Sequence, residues 1–163
     1  MNDKELYVLA EKLGAALKAK GLMVTTAESC TGGWIAQAVT AVPGSSAWFE
    51  RGFVTYTNIA KQEMLGVPEA TLIAHGAVSE PVVREMAAGA LAHSHAYIAL
   101  SVSGVAGPSG GTPAKPVGTV CFGWGVKGGD VEAVTLRLPG DREGVRRRAV
   151  ADALERALLL AAR

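Results

Sequence analysis

Leu22-Met23-Val24-Thr25-Thr26-Ala27-Glu28-Ser29-Cys30-Thr31-Gly32-Gly33-Trp34-Ile35-Ala36-Gln37-Ala38-Val39 is the stretch that decides the fold. Leu22 to Thr26 is short and rich in β-branched residues, which predicts a buried strand. A turn of mostly small residues follows, and Trp34 to Val39 suits a short helix. Strand, small-residue turn and helix, in that order, present a side chain and free backbone N–H groups at a helix start.

The flanking sequence extends this pattern in both directions. Residues 3 to 20 carry Leu6, Leu9, Leu13, Ala16 and Leu17 at spacings of three and four, predicting an opening helix ended by Gly21. Downstream, Pro43-Gly44-Ser45-Ser46 is a turn and Gly52 to Thr57 a second strand. Asn58 is placed to cap a short helix through Lys61 and Met64, stopped by Gly66. Ser79-Glu80-Pro81 opens a helix to about His93, with Val82, Val83, Met86, Ala90 and Leu91 on its apolar face. Tyr97 to Val102 reads as a strand covered on both sides, and a loop from Ser103 to Pro116 follows it. Val117–Val126 and Val131–Leu138 form a hairpin around Lys127-Gly128-Gly129-Asp130. Gly140-Asp141 starts a C-terminal helix whose buried stripe is Val145, Ala149, Ala153, Leu154, Ala157, Leu158 and Ala161. The expected fold is α/β: a three-layer α/β/α sandwich with a mixed, mostly parallel sheet of about five strands, one domain over residues 1–163.

Composition narrows the function classes. Hydrophobic residues at 49% against 19% charged exclude intrinsic disorder. Sixteen Lys and Arg against 15 Asp and Glu leave a net charge of +1, which argues against a dedicated nucleic-acid binder. No apolar run approaches the roughly 18 residues that span a bilayer, so no membrane partner is expected. The polar start Met1-Asn2-Asp3-Lys4-Glu5 lacks a signal core, which makes the cytoplasm the expected compartment. Cys30 and Cys121 do not form a disulfide framework.

Five features carry candidate chemistry. Ser29, in the strand–helix turn, is either a nucleophile served by helix-start N–H groups or, like Thr31, a helix cap. Cys30 is either a thiol activated at a helix start or a small buried hydrophobe; Cys121, in a strand, is core. A serine needs a base. His93 and His95 lie near the end of an amphipathic helix, and His75 in a loop before Gly76, so none makes a triad partner. Lys61, 32 residues after Ser29, is either a desolvated amine acting as base at the same sheet edge or a solvated surface charge.

A second glycine cluster, Ser103-Gly104-Val105-Ala106-Gly107-Pro108-Ser109-Gly110-Gly111, follows a buried strand, where open α/β sheets bind their ligands. It lacks both the P-loop ending and the dinucleotide spacing. It is either an anion- or oxyanion-binding loop or a flexible connection. Arg142 and Arg146, four apart on the last helix, are either a phosphate clamp or a solvated basic face.

Taken in order, Ala27-Glu28-Ser29-Cys30-Thr31-Gly32-Gly33, Gly52-Phe53-Val54-Thr55-Tyr56 with Lys61, Ser103-Gly104-Val105-Ala106-Gly107-Pro108, Lys115-Pro116-Val117-Gly118-Thr119-Val120 and Gly140-Asp141-Arg142 resemble the nicotinamide-nucleotide amidohydrolases, the CinA carboxy-terminal-domain family. The likeness spans essentially the whole chain and looks like the stand-alone form. It implies an α/β/α sandwich, usually homodimeric, that converts nicotinamide mononucleotide to nicotinate mononucleotide and ammonia without metal or cofactor. It implies Ser29 as nucleophile, Lys61 as base and the hydroxyl of Ser103 as an assistant, at a position where many relatives have Thr.

On that basis the oxyanion would be held by N–H groups of the Thr31-Gly32-Gly33 turn or of the Gly104 to Gly107 loop. Tyr56, with Phe53, would border the pyridinium ring. Arg142 or Arg146 would hold the 5′-phosphate. Two other readings use the same residues: a non-catalytic pyridine-nucleotide-binding module, and a hydrolase dependent on Cys30.

Overall fold

Three parallel strands bring the marked residues to one edge of a sheet. The computed structural model describes residues 1–163, with β1 (Val24–Glu28) running between β2 (Phe49–Val54) and β3 (Ile98–Gly104). Val24 stands opposite Ile98 and Glu28 opposite Val102, while Glu28 also faces Val54. The carboxyl ends of β1, β2 and β3 therefore lie together, as ligand-binding open sheets require. The hairpin β4 (Thr119–Val126) and β5 (Val131–Arg137) completes the order β2-β1-β3-β4-β5. The sheet is mixed: only β4 is reversed, so two of its four pairings are parallel and two antiparallel.

Helices cover both faces. On one lie α1 (Asp3–Lys20), α2 (Trp34–Thr40) and α6 (Arg142–Ala161), joined to β1, β3 and β4 by a core that includes Leu13, Leu17, Val24, Ile98, Phe122 and Leu154. Fully buried leucines such as these contribute about 1.5–3 kcal/mol each. On the other face, α5 (Glu80–Ala92) packs against β1, β3, β4 and β5, with α3 (Asn58–Leu65) and α4 (Glu69–His75) against α5. Gly89 lets α3 come close: a Cβ there would lie 2.0 Å from the carbonyl oxygen of Leu65. This approach seats the helix that carries Lys61.

Several boundaries differ from the sequence expectation. β1 extends to Glu28 and β3 to Gly104, and β2 begins at Phe49, because neighbouring strands supply hydrogen-bond partners beyond the β-branched runs. Thr57, not Asn58, caps α3, its hydroxyl accepting from the Ala60 N–H. His75, expected in a loop, ends α4, a helix of seven residues too short to show a period. Leu158, expected in the buried stripe of α6, is half-buried, and Leu160 takes the inward place.

Candidate active site

Two main-chain stitches fix the turn that follows β1. The Ser29 N–H donates to Val102 O at 3.0 Å, and the Thr55 N–H donates to Glu28 O at 2.8 Å. The strand that ends at Ser29 is thereby tied to β3 on one side and to the segment leading into α3 on the other. Lys61 lies on the first turns of α3 and reaches back. Its Nζ sits 3.0 Å from Ser29 Oγ, 2.9 Å from Thr55 O and 3.4 Å from Tyr56 O.

Those three neighbours set the proton inventory. Charged, Nζ donates to all three oxygens. Neutral, its two hydrogens serve the two carbonyls, which can only accept, and its lone pair is left to receive the Ser29 hydroxyl proton. Lys61 is 1% exposed, and no carboxylate is among its partners. Burial penalises the ammonium and lowers the Lys61 pKa from 10.5 to about 8, with the neighbouring Cys30 pulling weakly the other way. A base near neutral pH needs this environment. Burial also pushes the Cys30 thiol up to about 12, so it stays protonated beside Ser29.

Glu28 holds the turn from inside. Its carboxylate accepts from Thr31 Oγ1 at 2.6 Å, from the Ile35 N–H at 2.9 Å and from the Ala36 N–H at 3.1 Å. It occupies the N-terminal site of α2, where Gly33 provides no side-chain cap. Neither Ser29 nor Thr31 caps α2, contrary to one sequence reading. Burial raises the Glu28 pKa, and the hydrogen bonds from Thr31, Ile35 and Ala36 oppose that rise. Gly32 and Gly33 have φ of 61° and 102°, so the turn closes only with residues that tolerate the left-handed region. The Gly32 N–H is spent on Ser29 O. The amides of Cys30 and Thr31, by contrast, take no part in main-chain hydrogen bonding.

Beside this turn opens a cleft of about 350 Å³, lined by Ser29, Cys30, Tyr56, Lys61, Ala77, Val78, Ser103, the Gly104–Gly107 loop, Ser109, Gly110 and Arg142. Ser103 is buried near the end of β3. Tyr56 is exposed at the rim, its hydroxyl accepting from an Arg142 NH2 group at 3.2 Å, while Arg142 NH1 donates to Gly107 O at 2.7 Å. The fold thus brings Ser29, Lys61, Ser103, Tyr56, Gly104, Gly107 and Arg142 to one cavity. Thr31, Gly32, Gly33 and Arg146 do not line it. Arg146, expected as an alternative phosphate ligand, instead donates from Nε to Cys30 O at 3.0 Å and from NH2 to Thr31 O at 3.4 Å.

Sequence reasoning missed the roles of Glu28 and Arg146. An acidic residue ending a buried strand was the available signal for the first, since a buried carboxylate needs partners. Nothing local marked the second, whose contacts cross more than a hundred residues.

The family model for the CinA C-terminal domain matches residues 6–160. The chain belongs to the CinA C-terminal domain family. Among CinA-domain relatives, the nicotinamide-nucleotide amidohydrolase PncC of Escherichia coli K12 is 59% identical over 157 residues, covering 95% of this chain and 94% of the relative. The protein of the same name from Pseudomonas putida is 56% identical, covering 95% and 96%. The solved structure of the competence/damage inducible protein CihA from Agrobacterium tumefaciens superposes with a TM-score of 0.94 at 44% identity, over 100% of this chain and 98% of that one. The solved relative shares the fold, and the amidohydrolase name given to the two sequence relatives denotes an amidase.

Proposed function

We propose that this protein hydrolyses the carboxamide of nicotinamide mononucleotide, releasing nicotinate mononucleotide and ammonia, with Ser29 as nucleophile and Lys61 as base. The observation that carries the reading is the 3.0 Å contact between Ser29 Oγ and a buried lysine amine that has no acid partner. The substrate comes from the names of the relatives, which match nearly their whole length.

The chemistry follows from the site. Neutral Lys61 takes the hydroxyl proton of Ser29 as Oγ attacks the carboxamide carbon. The oxyanion is assigned to the amides of Cys30, which lines the cleft, and of the adjoining Thr31, since neither has a main-chain acceptor; the Ala106 and Gly107 amides of the facing loop are likewise free of main-chain acceptors. Protonated Lys61, assisted by the hydroxyl of Ser103, gives its proton to the departing amine as the carbon–nitrogen bond breaks. Water, deprotonated by the same lysine, then attacks the acyl-serine, and the acid and free Ser29 result. Tyr56 at the rim offers an aromatic face to the pyridinium cation. Arg142, in the same cavity, is the phosphate ligand, its guanidinium already anchored between Tyr56 and Gly107. Homodimerisation, which the family resemblance implies, belongs to the same proposal and is read by sedimentation velocity.

The test is ammonia release from nicotinamide mononucleotide by wild type, Ser29→Ala and Lys61→Met. Turnover by wild type and its loss in both variants supports the reading. Near-normal turnover in either variant contradicts the pair, and saturable binding without ammonia would make the protein a nucleotide sensor. A Cys30-dependent hydrolase finds no support in a thiol held protonated up to about pH 12.

A further inference from the structure

Arg146 is four residues from Arg142 on α6, yet it touches the site by a different route. Its guanidinium lies outside the cleft lining and grips the carbonyls of Cys30 and Thr31. Each carbonyl belongs to a peptide unit whose N–H is on the next residue. Cys30 C=O shares its unit with the unspent Thr31 N–H, and Thr31 C=O shares its unit with the Gly32 N–H that closes the turn on Ser29 O. A cation hydrogen-bonded to a carbonyl draws density from that peptide and makes its N–H a stronger donor. The same contact fixes the plane of the peptide and hence the aim of that N–H.

The grip is itself held in place. The Arg146 guanidinium carbon stands 5.5 Å from the centroid of the Trp34 ring, and Arg147 approaches the same ring at 4.9 Å. The Cβ position of Gly32 lies 3.5 Å from Arg146 NH2, an ordinary contact distance, so the guanidinium runs alongside the turn. Glu28 meanwhile binds the Thr31 hydroxyl and two α2 amides. The nucleophile turn is therefore clamped from both sides of its chemistry: a carboxylate on its donors and a guanidinium on its acceptors.

We infer that Arg146 is a positioning residue for the acyl-transfer step, orienting and polarising the Cys30–Thr31 peptide of the turn that carries the nucleophile, and that it is not a phosphate ligand. This inference rests on the serine–lysine amidase reading above. Its signature is a loss in kcat without a loss of phosphate recognition, whereas a ligand of the phosphate would show the reverse.

The experiment compares Arg146→Met, Arg146→Lys and Arg142→Met on nicotinamide mononucleotide and on the matching riboside, which has the same amide and no phosphate. A serine-directed fluorophosphonate supplies a second readout, the rate of labelling at Ser29, and thermal melts normalise for folded protein. Removing a direct oxyanion donor costs about 10²- to 10³-fold, so weakening one through Arg146→Met is expected to lower kcat about 10- to 100-fold. The labelling rate should fall in parallel, with KM and the nucleotide-to-riboside ratio unchanged. Arg146→Lys keeps the charge but loses the fork, and a partial loss is expected there. It carries the test alone should the Met variant not fold.

A raised KM with a collapsed nucleotide-to-riboside ratio in the Arg146 variants would overturn the inference, as would kcat and labelling rate at wild-type level. Wild type that labels at Ser29 but releases no ammonia from either substrate would overturn the substrate reading only, leaving the labelling rates to decide Arg146. Absence of both labelling and turnover in folded wild type would overturn the two together.

Discussion

The two walls of the cleft are built by different rules. The wall formed by Ser29, Cys30 and Lys61 is buried, and the turn behind it from Glu28 to Thr31 is closed on itself: the Glu28 carboxylate and the Ser29 and Thr31 hydroxyls have named partners inside the protein. The opposite wall, Gly104 to Gly110 with Tyr56 and Arg142, is more open, and Tyr56 is 59% exposed. Rigid, desolvated groups suit bond making, because their orientation costs nothing at the moment of reaction. Adaptable, wetter groups suit the recognition of a polar substrate tail. Under the proposed reading, the first wall performs the chemistry and the second selects the substrate.

Substitutions that cross this division should separate kcat from KM. Ser29→Ala is the largest: about 10⁴-fold or more in kcat is expected, measured as ammonia release, since a missing nucleophile leaves only binding and oxyanion donors. Lys61→Met follows, at about 10³-fold, within the 10²- to 10⁴-fold that general base catalysis supplies. Arg142→Met, on the other wall, is expected to raise KM for nicotinamide mononucleotide about 10- to 100-fold through loss of a charge-assisted bond, leaving turnover of the riboside unchanged. The smallest effect belongs to Cys30→Ala, whose thiol burial keeps protonated; kcat should stay within about threefold, and iodoacetamide should not inactivate wild type rapidly. A Cys30→Ala loss comparable to that of Ser29→Ala would erase the division of labour.

Much of the first wall was legible in the chain itself. The order of strand, small turn and helix from Val24 to Val39 locates the Ser29 turn, because β-branched runs and glycines act locally. Lys61 was legible as a residue near the same sheet edge, but the choice between a desolvated amine and a surface charge was not, since its burial depends on α3 packing against α5 through Gly89. Glu28 caps α2 from seven and eight residues upstream, outside any local capping pattern. Arg142 and Arg146 look equivalent by helical spacing, yet one lines the cavity and the other grips the turn, because the path of residues 103–110 beside α6 decides which side chain meets which wall. The strand ends shifted for the same reason: partner strands, not side-chain preference, terminate them.

The pH dependence of kcat/KM, taken from pH 6 to 10 on nicotinamide mononucleotide with Lys61→Met as reference, tests the pairing of a buried neutral amine with Ser29 most directly. Burial lowers the Lys61 pKa from 10.5 to about 8, so the reactive uncharged form is scarce at pH 6 and grows as pH rises through that value. The rate should therefore climb about tenfold per pH unit below about pH 8 and level off above it, with the residual rate of the variant flat across that limb. A wild-type profile that is flat from pH 6 to 10, or a limb near pH 8 that survives in Lys61→Met, would contradict the account.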